Sequence, residues 1–188
     1  MTHSENISEL DILRSIHDGD ITAMRTLYDR YVRYLTAICS RYVNNQEDLR
    51  DILQDAFLKI YTSLKSFEYR GSGSLKSWMS KIVVNETLKF IRNNSRIEFV
   101  ELQDDTVGAT DREPELNGIP VAAIHEMIRN LPIGYRTIFN LYVFEEKSHK
   151  EIAAELDITD STSASQLHRA KILLSKQIER YRISNNLS

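Results

Sequence analysis

Cysteine is nearly absent from this chain: Cys39 stands alone among 188 residues. A single thiol closes no internal disulfide, and five histidines scattered without ligand spacing assemble no zinc cluster. Cys39 falls on the apolar side of a predicted helix, which makes it a buried structural thiol rather than a nucleophile or redox sensor. Long apolar runs are missing too. A membrane span needs ~18 apolar residues in succession, and no stretch approaches that: an aliphatic run such as Ile82-Val83-Val84 stops at three. The first residues, Met1-Thr2-His3-Ser4-Glu5, lack the charged and apolar regions of a signal peptide, so a cytoplasmic protein with no direct membrane insertion is expected. There is no internal repeat, no low-complexity tract, no phosphate-binding glycine motif and no nucleophile–base pair that sequence can bring together. The expectation is a protein that is not an enzyme, with no catalytic residue, no cofactor and no metal site.

What is present is an ordinary globular composition, 41% hydrophobic and 27% charged, enough for one medium domain or two small helical ones. The net charge of -3 sits badly with nucleic-acid binding until it is divided along the chain. Residues 1–93 carry 13 Lys/Arg against 12 Asp/Glu, residues 94–119 carry 2 against 7, and residues 120–188 carry 9 against 8. Acid is concentrated in the middle. On either side basic residues gather locally: Lys81, Lys89, Arg92 and Arg96 around a lone Glu86, and Arg169, Lys171, Lys176, Arg180 and Arg182 around a lone Glu179.

Ile21, Met24, Tyr28, Tyr31, Leu35, Ile38 and Tyr42 recur at steps of three and four, one stripe of a long amphipathic helix. Leu49, Ile52, Leu53, Ala56, Phe57, Ile60, Tyr61 and Leu64 predict a second helix, antiparallel to the first across a polar turn at 41–47. A shorter helix from about Ile7 to Ile16 ends near Gly19, and Leu75, Trp78, Met79 and Ile82 open a fourth that runs to about Asn93. Between about Asn94 and Gly118 neither period persists, and Asp104-Asp105, Gly108 and Pro114 mark a linker. Periodicity resumes at Val121, Ile124, Ile128 and Leu131 and, after Pro132, at Ile138, Phe139, Tyr142 and Val143. The predicted fold is all-α: two small helical domains, an N-terminal helical bundle over 1–95 and a C-terminal helix-turn-helix bundle over 120–188, joined by an acidic linker over 96–119.

Ser148-His149-Lys150-Glu151 reads as a capping box, in which the hydroxyl takes an orphan backbone N–H and the glutamate reaches back. Ile152, Ala153 and Leu156 face inward, the chain turns at Asp157-Ile158-Thr159, and Thr159 or Asp160 caps a second helix through Leu167, Ala170, Leu174 and Ile178. That is the plan of a helix-turn-helix. Asp157 occupies the position where a left-handed backbone is needed and glycine would be easiest. The second helix would expose Ser163, Ala164, Gln166, His168 and Arg169 in the major groove; Gln pairs with adenine and Arg with guanine, while Lys171 and Lys176 suit phosphates. A helix pair that merely completes a small domain has the same pattern, so both readings stand at this level.

Ser148–Leu174, SHKEIAAELDITDSTSASQLHRAKILL, resembles the −35 reading region of extracytoplasmic-function sigma factors, the smallest members of the sigma-70 family. DILQDAFLKIYTSLKSF, Asp51–Phe67, resembles the family's polymerase-binding region, and SLKSWMSKIVVNETLKFIRNN, Ser74–Asn94, its −10 reading and strand-opening helix. The likeness covers residues 18–95 and 120–182 in the family's order. It implies an alternative sigma factor that binds core RNA polymerase, directs it to promoters through −10 and −35 contacts and helps to initiate transcription. The partners implied are core polymerase, through the clamp helices of its largest subunit and its flap; promoter DNA; and an anti-sigma factor, commonly membrane-bound in the family. The resemblance assigns −35 contacts to Ser163, Ala164, Ser165, Gln166, His168, Arg169 and Lys171. It assigns −10 contacts to Arg70, Gly71, Ser72, Trp78, Lys81, Asn85, Lys89 and Arg92, and polymerase docking to Asp51, Gln54, Asp55 and Leu58. Many relatives are basic at the positions of Ala164 and Gln166, so a different −35 preference is expected.

Each part has a physical reason and a plainer counterpart. Asp51, Gln54 and Asp55 lie opposite Leu53, Phe57 and Ile60, an acidic face that suits a basic helical hairpin but also an ordinary solvated helix. Phe67–Ser74 reads as a flexible loop with aromatic residues at its entrance, able to hold an unstacked −10 base, and equally as a helix cap and connector. Trp78 fits a core position as well as a base wedge. By resemblance the linker threads the polymerase cleft and RNA exit path as a carboxylate mimic of nucleic acid; a soluble spacer has the same composition. The competing class is a one-component helix-turn-helix transcription regulator that acts without sigma activity.

Overall fold

In a computed structural model of the chain, residues 8–94 and 116–187 are described. Among them are eight α-helices, one short 3-10 turn and no strand, and the chain divides after Phe90 into two compact units. The acidic linker expected over 96–119 lies, apart from 116–119, outside the described residues.

In the first unit, side chains satisfy orphan N–H groups of the first turn in three of the helices. Ser8 Oγ accepts from Asp11 N at 3.1 Å to open α1 (Glu9–His17), and Asp20 Oδ1 accepts from Thr22 N at 2.8 Å to open α2 (Ile21–Cys39). Asn45 Oδ1 accepts from Glu47 N at 2.8 Å and Asp48 N at 3.2 Å to open α3 (Gln46–Ser63). That helix tightens into a 3-10 turn, Leu64–Ser66, and after a loop comes α4 (Ser74–Asn94), whose last residues, 91–94, lie past the division. Leu27, Leu35 and Ile38 of α2, Ile52, Ala56 and Ile60 of α3, and Leu75, Met79 and Val83 of α4 are buried in the core. Thr87 Oγ1 of α4 donates to the buried Cys39 Sγ of α2 at 3.4 Å.

The stripe of α2 differs from expectation at its start. Ile21 is 79% exposed and Tyr28 lies at the surface, while Ala23 and Leu27 are buried. The inward line begins one residue earlier than a pattern drawn through the large side chains, because Ala23 fills its place at close quarters without the bulk that marks a core position. Tyr28 instead packs its ring on Phe57 at 4.7 Å.

The second unit holds α5 (Val121–Arg129), α6 (Ile133–Val143), α7 (His149–Leu156) and α8 (Asp160–Ser184). Pro120 and Pro132 stand at the N-caps of α5 and α6, where a missing N–H costs nothing. Met127, Ile128, Leu131, Tyr135, Ala170, Leu174 and Ile178 form one buried cluster. The capping box is complete: Ser148 Oγ accepts from Glu151 N, and Glu151 Oε2 accepts from Ser148 N at 2.8 Å. Asp157 ends α7 in the left-handed region, φ 56° and ψ 50°, the half-buried Ile158 donates its N–H to Ala153 O at 3.0 Å, and Thr159 caps α8.

Burial pushes the Cys39 thiol above its ordinary pKa, with the Thr87 bond opposing the shift. Reaction of native protein with a thiol reagent at neutral pH is expected to run at least about a hundredfold slower than in denaturant, followed by absorbance. Asp157→Gly relieves the left-handed strain and should stabilise the second unit by about 1 kcal/mol in urea melts.

Candidate nucleic-acid interface

The loop from Phe67 to Gly73 is tied rather than free. Arg70 N donates to Ser74 Oγ at 3.2 Å, that hydroxyl donates to Gly71 O at 2.7 Å, and Gly73 N donates to Glu9 Oε2 at 3.1 Å. Gly71 at φ +108° and Gly73 at φ +83° make the two sharp bends that a side chain would resist. The Phe67 and Trp78 rings meet at 4.9 Å and form one wall of an open cavity that Ser66, Glu68, Arg70, Ser74, Ser77 and Lys81 complete. Trp78 is half-buried, so it serves the fold and the cavity together. Aromatic faces beside a cation and hydroxyls are the chemistry that holds an unpaired base.

From the cavity, Ser77, Lys81, Asn85 and Lys89 recur every fourth residue along α4, and all are exposed. Arg92, Arg70, Gly71 and Ser72 are exposed as well. The acid of this helix is out of the way: Glu86 is 8% exposed and takes Lys59 Nζ of α3 at 2.7 Å and Lys89 Nζ at 3.7 Å. The outward line is therefore basic and amide-bearing, suited to phosphates and base edges.

A different face lies on α3. Asp51, Gln54, Asp55 and Leu58 are exposed, Leu58 to 64%. Beside them Tyr28, Arg50, Leu53, Phe57 and Tyr61 line a shallow groove. Carboxylates next to an exposed leucine and aromatic rings match a partner helix that is basic on one side and apolar on the other.

On α8, Ala164, Ser165, His168 and Lys171 are exposed and Arg169 is half-buried. The expectation that Ser163 and Gln166 face outward is corrected: they are 0% and 3% exposed. Both lie on the backward extension of the Leu167, Ala170, Leu174 stripe, at steps of three and four, and the packing of α8 on α6 and α7 draws them inside. Ser163 Oγ meets His149 Nδ1 at 3.0 Å, and His149 in turn stacks on Tyr142 at 5.0 Å. Among the described residues no cluster of metal-ligating side chains occurs, and no helix is long and apolar enough to cross a membrane.

The family profile "Sigma-70 region 2" matches residues 27–97, and "Sigma-70, region 4" matches residues 122–174. The chain is 26% identical to the ECF RNA polymerase sigma-E factor of Haemophilus influenzae, over 94% of this chain and 98% of that one. Its counterpart in Escherichia coli K12 is 27% identical over 94% and 97%. The chain belongs to the extracytoplasmic-function branch of the sigma-70 family. A similar solved structure is the sigma factor RpoE in complex with the anti-sigma factor NepR from Bartonella quintana, with a TM-score of 0.48 at 19% identity, covering 85% of this chain and 98% of that chain. Within this sigma factor, region 2 takes in most of α2, all of α3, the tied loop and α4; region 4 takes in α5 to α7 and the first half of α8. Helix α1 precedes the matched region, and Glu9 is the residue of the site that sequence reasoning missed. An acidic residue in a first turn reads as a dipole partner, and nothing in the sequence announces a bond to Gly73.

Gln166→Lys places a charge inside the second unit. It is expected to destabilise that unit by about 2–4 kcal/mol in thermal or urea melts, whereas Ala164→Lys, at an exposed position, should change stability by about 0.5 kcal/mol or less.

Proposed function

We propose that this chain binds core RNA polymerase through the outward face of α3, centred on Asp51, Gln54, Asp55 and Leu58, and carries it to promoters. The loop with Arg70, Gly71 and Ser72, the neighbouring Trp78, and Lys81, Asn85, Lys89 and Arg92 of α4 take the −10 element and help to open it. Ala164, Ser165, His168, Arg169 and Lys171 of α8 take the −35 element. The observation that carries this reading is the order of three chemically distinct faces: an acidic-apolar one, a basic one with an aromatic cavity, and a helix-turn-helix. The proposed domains, 1–95 and 120–188, leave the acidic segment 96–119 between them in sequence, where it would act as a displaceable mimic of nucleic acid in the polymerase channel. The protein acts without catalysis of its own and works in the cytoplasm, where polymerase is. An anti-sigma factor that covers the exposed Leu58 and its groove would hold it inactive.

The rival, an operator-binding regulator, requires tight DNA binding without polymerase. In vitro transcription with core polymerase over a promoter library separates the two, and a pull-down that recovers no polymerase subunit would sink the sigma-factor reading. Asp55→Lys is expected to weaken holoenzyme assembly about tenfold or more. Asn85→Ala should slow strand opening about tenfold with assembly intact, and Arg169→Ala should weaken −35 binding by a similar factor. Parallel loss of assembly and binding would indicate misfolding instead.

A further inference from the structure

Glu9 belongs to none of the three faces, yet it reaches one of them. Its carboxylate is shared between two donors: Oε1 accepts the Tyr31 hydroxyl of α2 at 2.6 Å, and Oε2 accepts the backbone N–H of Gly73 at 3.1 Å. Tyr31 is 7% exposed, and burial, together with the bond to Glu9 and its charge, pushes the phenol well above its ordinary range, so it stays a donor at neutral pH. Tyr31 thereby pins one oxygen and aims the other. Gly73 is the last residue before α4 and adjoins Ser74, whose hydroxyl closes the loop on Arg70 and Gly71. A charge-assisted bond at the Gly73 N–H thus fixes the backbone next to Ser74, which lines the Phe67–Trp78 cavity. The bond is not needed to start α1, which Ser8 already caps.

We propose that Glu9 is a positioning residue for promoter opening. By holding the Gly73 N–H, α1 sets the shape of the loop that receives an unstacked base and tunes −10 recognition from outside the matched region 2. This rests on the sigma-factor reading above. Glu9 acts through the backbone and not on DNA, since a carboxylate repels phosphates.

The test uses full-length Glu9→Ala, Glu9→Gln and Tyr31→Phe with core polymerase on a library varied at the −10 and −35 elements. Glu9→Ala is expected to slow open-complex formation about tenfold, the factor of one charge-assisted hydrogen bond. It should flatten the preference among −10 bases while leaving core affinity and −35 preference unchanged. Glu9→Gln keeps an amide oxygen for Gly73 and should recover most of the −10 preference, with Tyr31→Phe in between. In the free protein, exchange of the Gly73 amide proton followed by NMR should accelerate in Glu9→Ala by about the same factor. Loss of −10, −35 and core binding in parallel, or an unchanged −10 preference despite faster exchange, would overturn the proposal. A wild-type chain that initiates nowhere with core polymerase would defeat the sigma-factor reading instead, and Gly73 exchange would then report separately on the anchor.

Discussion

The rotation of each helix about its own axis is decided by what it must hide, and the contact faces are what remains. On α3, Leu49, Ile52, Leu53, Ala56, Phe57 and Ile60 are out of water. Burying one large aliphatic or aromatic side chain is worth about 1.5–3 kcal/mol, against about 0.2–1 kcal/mol for an exposed ion pair. Slipping the helix by one residue, about 100°, would bring carboxylates into the core. Asp51, Gln54, Asp55 and even Leu58 face outward because the opposite side leaves them no choice. The same constraint on α8 draws Ser163 and Gln166 inward.

That constraint also explains what sequence could and could not tell. The buried line of α3 is dense in large apolar residues, so its phase, and with it the outward set, was readable directly. On α2 the line passes through Ala23, whose small size hid it, and the bulkier Met24 and Tyr28 drew the pattern one residue off. The turn into α8 was legible because capping boxes and left-handed caps have local chemistry, carried by Ser148, Glu151 and Asp157. Ser163 and Gln166 escape a reading by residue type, because polar side chains suggest an outward face although the stripe through Leu167 and Ala170 reaches them. Glu9 was illegible for another reason: its partner lies 64 residues away and is a backbone group, which has no signature in the residue type.

Charge follows a comparable logic. A chain of net charge -3 still presents a basic outward line on α4, because acids gather in the middle segment and on the outer face of α3, Glu86 is buried against lysines, and Glu68 of the cavity pairs with Arg70 at 3.2 Å. Glu86 is the informative case. Buried alone it would be costly, but Lys59 and Lys89 neutralise it, and through Lys59 it ties α4 to α3. One ion pair therefore joins the helix assigned to polymerase with the helix assigned to DNA, inside a single unit.

The interior position of Ser163 and Gln166 bears on how such proteins diversify. Helix α8 is not a cassette. Grafted alone onto another scaffold, it would bring a hydroxyl and an amide whose places were shaped by its own neighbours, including the His149 ring stacked on Tyr142. On the proposed reading of the −35 element by α8, a change of promoter vocabulary would be written in the few side chains that face outward, or else α6, α7 and α8 would be exchanged as one piece.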